Sequence, residues 1–252
     1  MGSRMTKRRE RRRAGRAVKQ RVREQWKVVR RNNRRTLLTA IGFTAAGLGL
    51  ALALAVALDA HPFVVGLMSG IGVMTIPLYV LLIKFWTGIA AREFGGEAEQ
   101  WTAEELDKLD GRLWQVFHDV PVEWGNVDHV AVGPGRIYAI ETKWTTAGGR
   151  FRHQGAIQAA RQADRLRSAL SSHGVERQVI PLLVIWGYGV AADLEHRAHL
   201  DEQTQTRIVA GGDSALWLAK MQQAANGLAA DRLATLAVRT LMEADEQVTA
   251  KA

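Results

Sequence analysis

Asn126-Val127-Asp128-His129-Val130-Ala131-Val132-Gly133-Pro134-Gly135-Arg136-Ile137-Tyr138-Ala139-Ile140-Glu141-Thr142-Lys143 reads as a β-hairpin. Two runs of β-branched and aromatic residues flank a Gly-Pro-Gly turn signal, which predicts strands over 126–132 and 136–144. With residues 133–136 as the loop, Val132 pairs with Ile137 and the numbers of paired residues sum to 269. Asp128 then stands opposite Glu141, their Cβ atoms about 5 Å apart, and Asn126 stands opposite Lys143. Alternation puts Ile137, Ala139, Glu141 and Lys143 on one strand face, so two carboxylates and a lysine converge. Like charges directly opposite destabilise a sheet unless a cation lies between them.

Outward from the hairpin, the pattern alternates helix and strand. Gly95-Gly96 closes a linker, and a helix is predicted from Glu97 to about Leu113. Its inward stripe is Glu99, Thr102, Ala103, Leu106 and Leu113. A glutamate on such a stripe needs a partner or a metal. A strand runs over 114–120 and is ended by Pro121. After residues 145–149, a helix is predicted over 153–172. Ile157, Ala160, Leu166 and Leu170 form its apolar side, and Gln154, Gln158, Arg161 and Arg165 form a second stripe. Strands over 179–186 and 206–210 and helices around 215–225 and 228–246 complete an α/β fold around a mixed sheet.

These residues resemble a known family. Gly96-Glu97-Ala98-Glu99 with Thr102, His118-Asp119, Asn126 to Pro134 and Ile140-Glu141-Thr142-Lys143 are similar to the NERD (nuclease-related) domain, placed in the PD-(D/E)XK nuclease superfamily. The likeness covers roughly residues 93–220. It implies a nuclease-like mixed sheet flanked by helices, with Asp128, Glu141 and Lys143 at the catalytic positions. It also implies Glu99 as the helix carboxylate and Gln158 as the glutamine of the following helix. The departure is Trp144-Thr145-Thr146, where many members carry a different polar-aromatic stretch. Phosphodiester hydrolysis suits these residue types. Asp128, Glu141 and Glu99 offer hard oxygens to Mg²⁺ or Mn²⁺, and Lys143 is suited to orienting or deprotonating a water. Residues 136–177 carry 8 Lys/Arg against 3 Asp/Glu. Arg150, Arg152, Arg161 and Arg165 in that stretch are the expected contacts to nucleic acid, DNA or RNA. Two other classes stay open: a module that binds nucleic acid or protein without cleaving, and a membrane scaffold whose basic tail is the working part.

The rest of the chain has a different character. Residues 1–36 carry 16 Lys/Arg and 2 Glu, whereas residues 93–252 carry 16 Lys/Arg and 22 Asp/Glu. The overall charge of +9 therefore belongs to the tail. Such a tail suits anionic lipid headgroups or nucleic acid. Between tail and domain, residues 37–86 hold two uncharged runs, Leu37 to Leu58 and Phe63 to Ile83. Each is long enough for a hydrocarbon core of about 30 Å. The loop Asp59-Ala60-His61-Pro62 is too short for anything but an antiparallel transmembrane hairpin. Gly66 and Gly70 form a step for close helix packing, and Pro77 predicts a kink in the second helix. Arginines flank the hairpin and the loop has none, so the positive-inside rule leaves both termini in the cytoplasm of a multi-pass protein of the cell (inner) membrane. A cleaved signal at Ala55-Val56-Ala57 is the competing reading, with the second run left as an anchor. Gly2 to Thr6 fits a loose myristoylation pattern, and Met5 is a second candidate start. No cysteine is present, which excludes disulfides and thiolate chemistry.

Overall fold

A computed structural model describes residues 34–57, 89–145, 150–188, 190–223 and 230–251, with isolated positions between 62 and 82. The chain divides into two units, one of residues 19–93 and one built on residues 94–252. The basic tail 1–36 lies almost wholly outside the described residues. In the first unit, helix α1 spans Arg34–Ala57 over the first predicted membrane run. Counted on the described residues, no helix is long and apolar enough to cross a membrane. Many α1 side chains, and most of the second run, fall outside that set, so the hairpin rests on the sequence.

Helix α2 (Ile89–Leu106) carries the chain into the second unit, followed by β1 (Gln115–Val122), β2 (Gly125–Gly133), β3 (Arg136–Trp144) and α3 (Arg150–Ser171). Then come β4 (Val179–Trp186), the short α4 (Val190–Asp193), β5 (His199–Asp201), β6 (Thr206–Ala210), α5 (Ser214–Gln223) and α6 (Arg232–Lys251). The sheet order is β1-β2-β3-β4-β6-β5. The β1–β2–β3 meander and the β5–β6 pair are antiparallel, and β3, β4 and β6 run parallel. This is the mixed sheet flanked by helices that the sequence predicts. The three residues of β5 were too short a run to carry a periodic signal.

Three expectations change, each for a physical reason. α2 begins eight residues before Glu97 and runs through Gly95-Gly96, which is therefore not a linker end. Gly96 and Ala98 are buried, and tertiary packing outweighs a glycine's helix cost of about 1 kcal/mol. β1 continues through Pro121 because it is an edge strand, where a missing N–H costs no ladder bond. On α3 the buried side is Ala156, Ala159, Ala163, Leu166 and Leu170, while Ile157 and Ala160 are only half-buried. The helix is rich in alanine, so its hydrophobic phase was ambiguous, and the smaller residues allow the closer approach to the sheet.

The sheet is packed on both faces. Val127, Val130, Val132, Ile137 and Ala139 meet Ala163, Leu166 and Leu170 of α3 and Ala234 and Val238 of α6. On the opposite face Ala131, Tyr138, Ile140 and Val184 meet Leu106 of α2 and Trp217 of α5. At the end of β4 the chain presses on the end of β3. Gly187 has φ +142, and a Cβ there would lie 1.8 Å from the Thr145 carbonyl oxygen. Gly187→Ala is expected to destabilise the full-length protein by about 2–4 kcal/mol. A denaturant midpoint unchanged from wild type would show that this approach is not needed.

Candidate functional site

The β2–β3 register runs from Gly133↔Arg136 through Val132↔Ile137 to His129↔Ile140, the predicted sum of 269. Gly133 and Arg136 also pair, so the loop shrinks to Pro134-Gly135. The fixed φ of proline and the left-handed Gly135 (φ 68) close it. The next pair in this register is Asp128 with Glu141, and there the backbone ladder stops. The Thr142 N–H donates instead to Asp128 Oδ2 at 2.8 Å. On its other side Asp128 faces a second gap. The β1–β2 register passes from His118↔His129 to Val120↔Val127. Between them Asp119 is left-handed (φ 55), a conformation that aspartate tolerates better than most residues. Asp128 thus sits where both neighbouring ladders give way.

Glu141 is 2% exposed. One of its oxygens, Oε1, pairs with Lys143 Nζ at 2.6 Å. The other, Oε2, is buried without a hydrogen-bond partner. A buried acceptor left open is costly and invites a cation or a donor. Burial, and after it the charges of Glu141 and Glu99, push the Asp128 carboxyl well above the usual carboxylate range, against the Thr142 N–H and the Lys143 ammonium. Burial alone would lower the Lys143 ammonium, but Glu141, Asp128 and Glu99 together hold it above its usual range. Glu99, half-buried on α2, is therefore close enough for its charge to act on both. Thr102 fastens α2 to this part of the sheet. Its Oγ1 donates to the Ala98 carbonyl at 3.0 Å and accepts from Thr142 Oγ1 at 3.1 Å and Trp186 Nε1 at 2.8 Å. Among the described residues no group of three or more His, Asp or Glu forms a ready-made metal set.

The structure thus brings Asp128, Glu141 and Lys143 together, with Glu99 in electrostatic range. Gln158 is exposed on α3. One turn later Gln162, which the sequence reading passed over, is buried and donates from Nε2 to the Asn126 carbonyl at 3.0 Å, two residues before Asp128. Its Oε1 is buried without a partner. Four-residue spacing gave both glutamines the same helical face, and only packing chose between them. Of the arginines, Arg161 is exposed. Arg165 Nη1 donates to the Trp124 carbonyl at 3.1 Å, and Arg152 lies 3.4 Å from Asp193. The side chain of Arg150 lies outside the described residues.

His129 faces away from Asp128, as alternation requires, and forms an unanticipated pair. Its Nδ1 lies 2.8 Å from His118 Nδ1 across the strands. One of the two nitrogens carries the shared proton. Burial, and after it the neighbouring His118, hold the His129 imidazole well below its usual range, so it is neutral at pH 7. The signal was available in the β1–β2 register but not in either histidine's spacing.

Residues 94–186 match the family model of the nuclease-related domain, NERD. The chain carries a NERD domain over that stretch. The match runs from α2 to the end of β4 and contains Glu99, Asp128, Glu141 and Lys143. β6, α5 and α6 lie beyond it. The mixed sheet and the Asp128 … Glu141-Thr142-Lys143 arrangement are consistent with the PD-(D/E)XK superfamily. No curated protein and no solved structure matches the chain.

The raised Asp128 carboxyl has a consequence for stability. A group whose folded pKa exceeds its unfolded one adds stability at low pH and loses it as pH rises through the folded value. Without divalent metal, Asp128→Asn should therefore raise the melting temperature at neutral pH. The gain is about 2–4 °C for each kcal/mol relieved, and the asparagine oxygen still accepts from Thr142. The gain should vanish as pH falls into the ordinary carboxylate range. A pH-independent difference would show that the carboxyl is not under strain from its neighbours.

Proposed function

We propose that the NERD domain is a divalent-metal-dependent nuclease that hydrolyses phosphodiester bonds of nucleic acid, and that the 37–86 hairpin holds it at the cytoplasmic face of the membrane. The observation that carries the first half is Glu141: one oxygen on Lys143, the other buried and open, next to a carboxyl pushed up by burial and then by the Glu141 charge. That donor set fits Mg²⁺ or Mn²⁺, which takes one or two carboxylates and completes its shell with water and phosphate. Asp128 and Glu141 would hold the ion, and Glu99 adds negative charge behind them. When bound, the ion supplies Lewis-acid stabilisation of phosphate charge and an acidified water. Lys143 remains an ammonium through the neutral range, so its role is to orient the water and offset charge on the phosphate rather than to accept a proton. Arg161 and the remaining donors of Arg165 are suited to phosphate oxygens, and Arg150 and Arg152 extend the basic stretch along the start of α3.

Mg²⁺ or Mn²⁺ at tenfold its Kd should stabilise the full-length protein in detergent by about 1.4 kcal/mol. Glu141→Gln is expected to lose that effect and to lower cleavage by about 10²–10³-fold. Lys143→Ala should keep most of the metal effect and lose cleavage to a similar degree. Wild type that shows neither metal stabilisation nor cleavage of DNA or RNA would leave the non-catalytic binding module as the reading. Glu141→Gln that cleaves like wild type would put the site elsewhere.

The membrane half rests on the two uncharged runs and their flanking arginines. It is supported by the exposure of Leu38, Leu50, Met74, Leu78 and Leu82, large apolar side chains that each leave more than half of their surface open. The basic tail then lies against anionic headgroups or reaches nucleic acid. A C-terminal reporter should signal a cytoplasmic location. A signal from the opposite side would reverse the topology.

A further inference from the structure

Trp124 lies in the turn between β1 and β2 and is 82% exposed, although it is an indole. Its backbone is left-handed, with φ 62. Asparagine or glycine would take that conformation at lower cost, so the turn itself gains nothing from the ring. Yet the residue is held at several points. Its Nε1 donates to Glu123 Oε1 at 2.8 Å, and its carbonyl accepts from Arg165 Nη1 at 3.1 Å. Gln162 secures the next turn of chain through the Asn126 carbonyl. The backbone of the turn is thus held by α3, and the ring stands on it with a bare aromatic face.

The topology decides what it stands beside. β2 begins at this turn and reaches Asp128 four residues on, about 13 Å along the strand. β3 is antiparallel to β2, so Glu141 and Lys143 lie at the same end of the sheet. Arg161 and Arg165 project from α3 at this side, and the Arg165 guanidinium keeps donors beyond the one it gives Trp124. A flat ring, two arginines and a carboxylate–lysine site therefore occupy one sheet end.

We infer that Trp124 is a base-stacking platform and that the nucleic acid it selects is single-stranded, lying from the β1–β2 turn toward Asp128 and Glu141. The inference rests on the nucleic-acid reading of that site. A duplex interior offers no free base face, whereas an unpaired base gives one to an aromatic ring at about 1–3 kcal/mol. The competing use of an exposed tryptophan is contact with a bilayer surface.

The test is fluorescence anisotropy on the full-length protein in nanodiscs, in a Glu141→Gln background that keeps the probe intact. The probes are a labelled oligothymidylate and a blunt duplex of the same length. Trp124→Ala should weaken single-strand binding about 5- to 150-fold, with Trp124→Phe retaining most of it and duplex binding changed less than about twofold. Unchanged single-strand affinity in Trp124→Ala overturns the inference and leaves the ring to the membrane surface. An equal loss on duplex and single strand also overturns it. Wild-type cleavage separates this from the parent proposal. Trp124-dependent binding without cleavage keeps the platform and removes the nuclease, and cleavage with no Trp124 dependence does the reverse.

Discussion

A two-residue loop, Pro134-Gly135, sets the register of the central hairpin, and the chemistry of the domain depends on that register. A slip by one residue would turn Glu141 and Lys143 to the opposite face of the sheet and put apolar side chains in their place. Proline fixes one dihedral of the loop and left-handed Gly135 supplies the other, so the register is set locally. Burial then reinforces it, since Val130, Val132, Ile137 and Ala139 reach the α3 side only in this alignment. The acidic pair is the price of an otherwise self-consistent hairpin.

The sheet accommodates that pair by opening. Asp119 leaves the β1 ladder through a positive φ, and beyond Ile140 the β3 backbone turns its Thr142 N–H to a side chain. A fully laddered strand would have left Asp128 no donor. Here a single backbone N–H partly compensates a carboxyl that burial and two neighbouring glutamates oppose. Lys143 performs the corresponding service for Glu141, and only one of that residue's oxygens is satisfied. Such incompletely balanced charge is costly for folding and typical of sites that hold an ion or act on a charged substrate.

Charge is partitioned along the chain in a way that bears on the same function. The domain is net acidic, so it does not attract polyanions over its whole surface; its basic residues gather in the stretch that includes β3 and α3. The strongly basic tail precedes the apolar runs and is separated from the domain by them. Tethering, if the runs span a bilayer as proposed, would confine the domain to the membrane surface, and the basic stretch would then act on local substrate rather than by long-range steering.

The residues of the hairpin were enough to specify its strands, its register and the facing of Asp128 and Glu141, because pleat alternation and turn chemistry act over a few residues. The strands over 136–144, 179–186 and 206–210 were legible for the same reason. What needed the tertiary structure was everything fixed by contacts distant in sequence. α2 runs through two glycines, of which Gly96 is buried, and β1 carries a proline as an edge strand of the described sheet. Gln162 rather than Gln158 is drawn inside because alanines set the phase of α3. The His118–His129 pair arises between β1 and β2, and the hold on the Trp124 carbonyl arises where α3 reaches their turn. Local spacing determines which way a side chain points; only packing determines what it meets there.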